Sequence, residues 1–144
     1  MRQVKFILFG KLKEPWLREA CAEYEKRLGA YCRLETIELN PMRTLGEEAK
    51  LAQGKIGRQA SVAAFCVEGR QMSSEQFAAW INAQPNEITL LIGSSHGMDE
   101  ELKARANLRI SFSAMTFPHQ LARIMVLEQL YRAFQINTGG KYHK

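Results

Sequence analysis

Residues 110–144 read ISFSAMTFPHQLARIMVLEQLYRAFQINTGGKYHK, and the rest of the chain is best read outward from them. A short apolar run ending at Phe112 gives way to the small residues Ser113, Ala114 and Thr116, and then to Pro118, which suits the first position of a helix. From Leu121 to Phe134 the chain is too apolar for a helix with one buried face. The pattern predicts a helix covered on more than one side and, with it, a homodimer interface. Glu128 lies in that stretch and needs a partner. Arg132, four positions on, can supply one, and Arg123 is a second candidate. The tail gathers Lys141, Tyr142, His143 and Lys144 where chain ends usually fray. Such a tail calls for an anchor, expected to be a partner subunit or an RNA.

Upstream, apolar runs of strand type alternate with amphipathic stretches of helical period. Val4 to Phe9 reads as a strand closed by Gly10. After Pro15, Leu17, Ala20, Tyr24, Leu28 and Tyr31 recur at three- and four-residue spacing and make one apolar stripe, with Gly29 near its end. Arg33 to Leu39 alternates as a strand with one buried face, and Asn40-Pro41 breaks it. Residues 44–59 are polar and include Gly46, Gly54 and Gly57. They suit either a helix, each glycine costing roughly 1 kcal/mol relative to alanine, or a mobile segment over an active site. Ser61 to Val67 is a buried strand ending at Glu68-Gly69. Ser73 and Gln76 form a capping box for a helix that buries Phe77, Trp80 and Ile81. Ile88 to Ile92 is apolar throughout, as in the middle of a parallel sheet covered on both faces. Asp99 caps a short helix to about Ala106, and Leu108 to Phe112 returns as a strand. This alternation predicts one α/β domain over residues 1–144 with a mostly parallel sheet.

The 144 residues suffice for one domain with a real core. At 46% hydrophobic, the chain is expected to be globular. No apolar run is long enough to span a bilayer, and the first residues read as a strand rather than a signal peptide, so a cytoplasmic location is expected. Cys21, Cys32 and Cys66 show neither CxxC pairing nor metal spacing and read as free thiols, with Cys66 a small core residue. The net charge of +5 favours approach to a polyanion such as RNA, without demonstrating it.

Ligands of open α/β sheets bind at the carboxyl ends of strands. Three such ends stand out: Phe65 to Gly69, Ile92 to Gly97, and Phe112 to His119. The second is a glycine-containing loop without GxGxxG or the P-loop pattern, so it reads equally well as a tight turn. Gly93 there would let a ligand approach the backbone closely. The third offers backbone N–H and C=O groups with little side-chain obstruction, suited to the edge of an adenine ring. It also reads as a helix-entry turn capped by Ser113 or Thr116. The histidines and cysteines make no metal site.

Three segments carry a resemblance that covers essentially the whole chain: Ser111 to Gln120 (SFSAMTFPHQ), Glu128 to Phe134 (EQLYRAF) and Tyr142-His143-Lys144. Phe9 to Lys13 and Ala22 to Leu28 add to it. In them the chain resembles the SPOUT superfamily of methyltransferases, most closely its small RlmH-type members. The resemblance implies a knotted α/β fold, with a C-terminal trefoil knot forming a pocket for S-adenosylmethionine. It implies a homodimer with the active site across its interface. It also implies methylation of N3 of a pseudouridine in 23S rRNA within the assembled 70S ribosome, with no role for DNA or a membrane. Carried over by position, the cofactor contacts are Phe65, Gly93, Phe112, Ser113, Ala114, Met115, Thr116 and Phe117. His143 is expected as the proton acceptor, Tyr142 and Lys144 as residues that place the tail and the RNA, and Arg123 or Arg132 as organisers of the interface.

The chain departs from the family pattern in three places. Gly93-Ser94 stands for two glycines, Cys66 for an acid, and Gly139-Gly140-Lys141 precedes the Tyr-His pair. Ser94 narrows the pocket if the family glycine there has φ > 0 or touches the cofactor. Ser94 and Cys66 together motivate an alternative, a non-catalytic ribosome- or RNA-binding relative of the same fold. A thiol-based enzyme using Cys66 is a third reading.

Overall fold

The computed structural model describes all 144 residues. Five strands alternate with five helices: β1 (Arg2–Phe9), α1 (Pro15–Leu28), β2 (Cys32–Leu39), α2 (Leu45–Gln53), β3 (Ser61–Gln71), α3 (Ser74–Ala83), β4 (Ile88–Ile92), α4 (Glu100–Arg105), β5 (Leu108–Ser111) and α5 (His119–Asn137). The strands form one sheet in the order β2-β1-β4-β3-β5, every neighbouring pair parallel. This is the single α/β domain with a parallel sheet that the alternation predicts.

Period-two side-chain alternation sends each strand's residues to two cores. Val4, Phe6, Leu8, Ala63, Phe65, Ile88, Leu90 and Ile92 pack with residues of α1, α3 and α5. Ile7, Phe9, Val62, Ala64 and Leu91 pack on the other face with Ala49 and Ala52 of α2 and Leu102 of α4. Because β4 is covered on both sides, all five of its residues are buried.

Helix α5 lies between α1 and α3. Tyr31 stacks on Phe134 with ring centroids 6.0 Å apart, and Tyr24 and Tyr131 approach to 6.4 Å. Much of the broad apolar girth of α5 is used within the chain, where the sheet, α1 and α3 cover it, while Leu121 stays exposed and Ile124 and Met125 are half-buried. Likewise α2, considered as a mobile cover, is a packed helix. Thr44 caps it, its hydroxyl accepting from the Glu47 N–H at 3.1 Å. The helix stops at Gly54 rather than running to Gln59. The capping box of Ser73 and Gln76 is present as read. Trp80 of the same helix is only half-buried.

Two strand ends differ from the sequence reading, and both differences shape the site. β3 runs on to Gln71, but its pairing with β5 shifts between Phe65 and Arg70. The strands part there and meet again where Gly69 lies against the Ile110 backbone; a Cβ on Gly69 would sit 2.6 Å from the Ile110 carbonyl carbon. β5 ends at Ser111, one residue early, because side chains turn the backbone. Ser111 Oγ donates to the Ser113 carbonyl at 2.9 Å, and Ser113 Oγ accepts from the Met115 N–H at 3.0 Å. Neither Ser113 nor Thr116 caps α5, which starts at His119 behind Pro118 without a side-chain cap.

Candidate active site

The three unusual strand ends meet around one cavity of about 580 Å³. The parting of β3 from β5 supplies one wall: Phe65 to Glu68, with Ile110 and Ser111. The loop after β4 supplies a second: Gly93, Ser94, Ser95 and Gly97, with Met98. The turn from Phe112 to His119 closes it. Of the eight residues carried over as cofactor contacts, seven line this cavity. Ala114 is exposed and does not. Phe65 and Phe112 stack at 5.2 Å, and Phe77 of α3 meets Phe65 edge-on at 6.1 Å. The walls are thus mainly apolar, with a few hydroxyls and free backbone groups, the make-up of small-molecule sites.

Gly93 is required by its surroundings. A Cβ there would lie 2.4 Å from the Gly97 carbonyl oxygen and 3.2 Å from Met98 Cβ. Gly97 itself has φ +103°, which closes the tight turn. Ser94 shows no such demand. No non-glycine residue has positive φ. The Ser94 hydroxyl donates to Glu48 Oε1 at 2.8 Å. Glu48 of α2 is 3% exposed and also accepts the Met42 N–H at 3.0 Å. Ser94 is accommodated by an α2 carboxylate, which ties the cavity loop to the helix on the other face of the sheet.

Cys66 is a wall residue rather than a core one, placed there by the parting of β3 from β5. Burial raises its thiol pKa, and the charge of Glu68 adds to the rise. A nucleophilic cysteine needs the opposite shift. Beside it, Lys103 pairs with Glu68 and holds that carboxyl below its usual range.

The tail residues form a second cluster, and they do not line the cavity. Arg132 donates to Glu128 through Nη2 at 2.6 Å and Nε at 3.3 Å, the pairing read from their spacing. Tyr142 donates its hydroxyl to Glu128 Oε2 at 2.6 Å. Its ring meets Tyr131 edge-on at 4.8 Å and lies under the Arg132 guanidinium at 4.8 Å. Burial raises the Tyr142 pKa, and the Glu128 carboxylate raises it further. Burial alone would raise Glu128, but donors from Arg132 and Tyr142 outweigh it and hold the carboxyl below its ordinary value. His143 sits between Arg132 Nη1, 3.0 Å from its Nδ1, and Glu75 Oε1, 2.6 Å from its Nε2. Tyr142 and His143 are therefore anchored on α5 and α3 of their own chain, where the sequence reading looked to a partner subunit or an RNA.

Arg123 stands apart from that cluster. It is 6% exposed and donates to Glu38 of β2 at 2.7 Å, not to Glu128. Lys144 is exposed. Sequence reasoning missed Glu48 and Glu75, whose partners lie 46 and 68 positions away.

A parallel α/β domain with a glycine-loop cavity at the carboxyl ends of its strands is a frame on which small-molecule-binding enzymes are built, and the relatives of the chain say which class of enzyme it is. Residues 2–143 match the family described as "Predicted SPOUT methyltransferase". The chain is 44% identical to Ribosomal RNA large subunit methyltransferase H of Bifidobacterium adolescentis, and 42% and 40% identical to the proteins of that name from Streptococcus suis and Streptococcus equi subsp. zooepidemicus. Each match covers 99% of both chains. The chain belongs to the SPOUT methyltransferase family. Two solved structures share the fold at low identity. One is a probable methylase family protein of Haemophilus influenzae (TM-score 0.56, 10% identity, 94% of this chain and 66% of that one). The other is the SpoU methyltransferase AviRb of Streptomyces viridochromogenes, in complex with AdoMet (TM-score 0.50, 13% identity, 94% and 58%).

Proposed function

We propose that the protein is an S-adenosylmethionine-dependent methyltransferase acting on 23S rRNA, at N3 of a pseudouridine, on the assembled ribosome in the cytoplasm. The observation that carries this is the cavity where the Gly93 loop meets the Phe112–Phe117 turn, in a chain matched end to end by relatives named for rRNA methylation. No helix of the chain is long and apolar enough to cross a membrane.

The cavity fits the cofactor. Its volume of about 580 Å³ falls within the roughly 300–1,000 Å³ of small-molecule sites. Phe65, Ile92, Ile110 and Phe112 give apolar walls for a purine, and the turn from Ser113 to Phe117 offers backbone donors and acceptors for its edge. When bound, the sulfonium supplies an electrophilic methyl group, so the protein need not form a covalent intermediate with the base. The residues must position the pseudouridine and take or stabilise the charge left when its N3 proton departs. His143 is assigned as the proton acceptor, with Tyr142 and Lys144 placing the tail and the RNA, and Arg132 beside it. Arg123, locked to Glu38, holds the first turns of α5 against β2.

The tail cluster does not line its own chain's cavity. A homodimer in which one protomer's tail meets its partner's cavity would complete the site, and exposed Val67, Met115, Phe117 and Leu121 supply apolar surface for it. The knotted threading of the C-terminal segment belongs to the same proposal. The non-catalytic reading loses its main motive, since Ser94 is satisfied by Glu48 and takes no strained conformation.

Calorimetry with S-adenosylmethionine, together with the mass in solution, tests the reading. Saturable binding to a dimer and transfer of labelled methyl to ribosomes are expected. A folded protein that binds no cofactor refutes it. His143→Ala should lower turnover while leaving cofactor binding intact; unchanged turnover removes His143 from the mechanism.

A further inference from the structure

The surroundings of His143 decide which of its two nitrogens can act. A guanidinium can only donate hydrogen bonds. Arg132 Nη1, 3.0 Å from Nδ1, therefore requires a lone pair on Nδ1. The remaining ring proton lies on Nε2, where Glu75 Oε1 accepts it at 2.6 Å. Glu75 is held below the ordinary carboxylate range by that hydrogen bond, as an ionised acceptor should be. Glu75 lies in the first turn of α3, two residues after its capping serine, so its backbone position is well defined. Its side chain is 63% exposed, so it serves no core. Arg132 is fixed in turn by both oxygens of Glu128 and by the Tyr142 ring.

We infer that Glu75 is a positioning residue that holds His143 in the Nε2–H tautomer, making Nδ1 the proton-accepting atom, and that Arg132 covers Nδ1 until the substrate draws its guanidinium away. The inference rests on the methyltransferase reading above. In the step it describes, the N3 proton of pseudouridine passes to Nδ1. The N3 lone pair takes the methyl group and the sulfonium leaves as a neutral thioether. The resulting imidazolium is stabilised through Nε2–H by the Glu75 carboxylate. The displaced Arg132 is then free to sit beside the charge developing on the imide or beside a phosphate.

Nitrogen-15 NMR of the full-length protein at neutral pH reads the tautomer without reference to activity. Nε2 should be protonated and Nδ1 not; because Arg132 favours the same tautomer, a mixture is expected when Glu75→Ala is combined with Arg132→Ala, and Glu75→Gln in that background, which still offers a carbonyl acceptor, should restore the tautomer. In transfer assays on ribosomes, Glu75→Ala should lower kcat by about 10- to 100-fold, by analogy with the loss on removing the partner that orients a metal-ligating histidine. The ribosome KM and the cofactor affinity should stay unchanged, and Glu75→Gln should recover part of the rate. Two results overturn the assignment: a wild-type His143 protonated on Nδ1, or wild-type kcat in Glu75→Ala. If the wild-type protein binds cofactor but methylates no ribosome, the function proposed above fails and the proton-acceptor role falls with it. Wild-type transfer that Glu75→Ala leaves untouched removes Glu75 alone.

Discussion

Replacing Ser94 by alanine removes one oxygen and keeps the Cβ that the loop already accommodates, so it removes the bond to Glu48 together with the longer one accepted from the His96 N–H at 3.3 Å. That carboxylate is 3% exposed and has two donors, the Ser94 hydroxyl at 2.8 Å and the Met42 N–H at 3.0 Å. Water cannot easily replace the lost donor at such burial. A hydrogen bond to a charged group contributes about 1.5–3 kcal/mol, so a loss of about 2 kcal/mol is expected. With a urea m-value of about 2 kcal/mol/M for a domain of this size, the unfolding midpoint should fall by about 1 M. In a Glu48→Gln background the same substitution should cost only about 1 kcal/mol, as a neutral pair does. Cofactor affinity should fall as well, because the Ser94 loop forms a wall of the cavity. Urea titrations of the four proteins, each paired with cofactor calorimetry, measure this. A Ser94→Ala midpoint within about 0.2 M of wild type, or equal costs in the two backgrounds, would refute the idea that Glu48 holds the loop through Ser94.

Two further outcomes concern ionisable groups. The folded-state pKa of Glu128 lies below its ordinary value of 4.5, so its contribution to stability is present above that value and is lost as the pH falls through the folded-state pKa. The gap in unfolding midpoint between wild type and Glu128→Gln should therefore be wide at pH 7 and shrink in acid; a gap that widens in acid contradicts the pairing with Arg132 and Tyr142. Cys66, held protonated by burial and by Glu68, should be dispensable as a nucleophile. Cys66→Ala should transfer methyl groups within about twofold of wild type, and loss of activity in a folded Cys66→Ala protein would revive the thiol mechanism.

The fold was largely legible because its signals are local. The capping box at Ser73 and Gln76 and the wholly apolar β4 each depend on neighbours a few positions apart and appear as read, while the α1 stripe appears in part: Leu17 and Leu28 are buried, joined by Cys21, and Tyr31 falls beyond the end of the helix. The cavity's location was legible for a related reason: small residues and glycines at strand ends mark where the backbone is left open. Arg132 with Glu128 was legible because four positions make one helical turn. The breadth of the apolar face on α5 was legible, but what covers it was not, since a pattern of residues cannot say whether a second helix or a second subunit does.

By itself, then, the sequence determined the number, kind and order of the elements, the parallel sheet, the family, and which loops bound the cavity. Only the tertiary structure decided that α1 and α3 flank α5, that β3 parts from β5 at Phe65 to open the cavity, and that Cys66 is a wall residue. It alone decided that Ser94 answers to Glu48, Arg123 to Glu38 and His143 to Glu75, partners 46, 85 and 68 positions apart. The physical reason is that periodicity and capping act over one turn or one pleat. Which distant charge meets a buried donor depends instead on how the elements pack, and on where a desolvated polar group must find its partner.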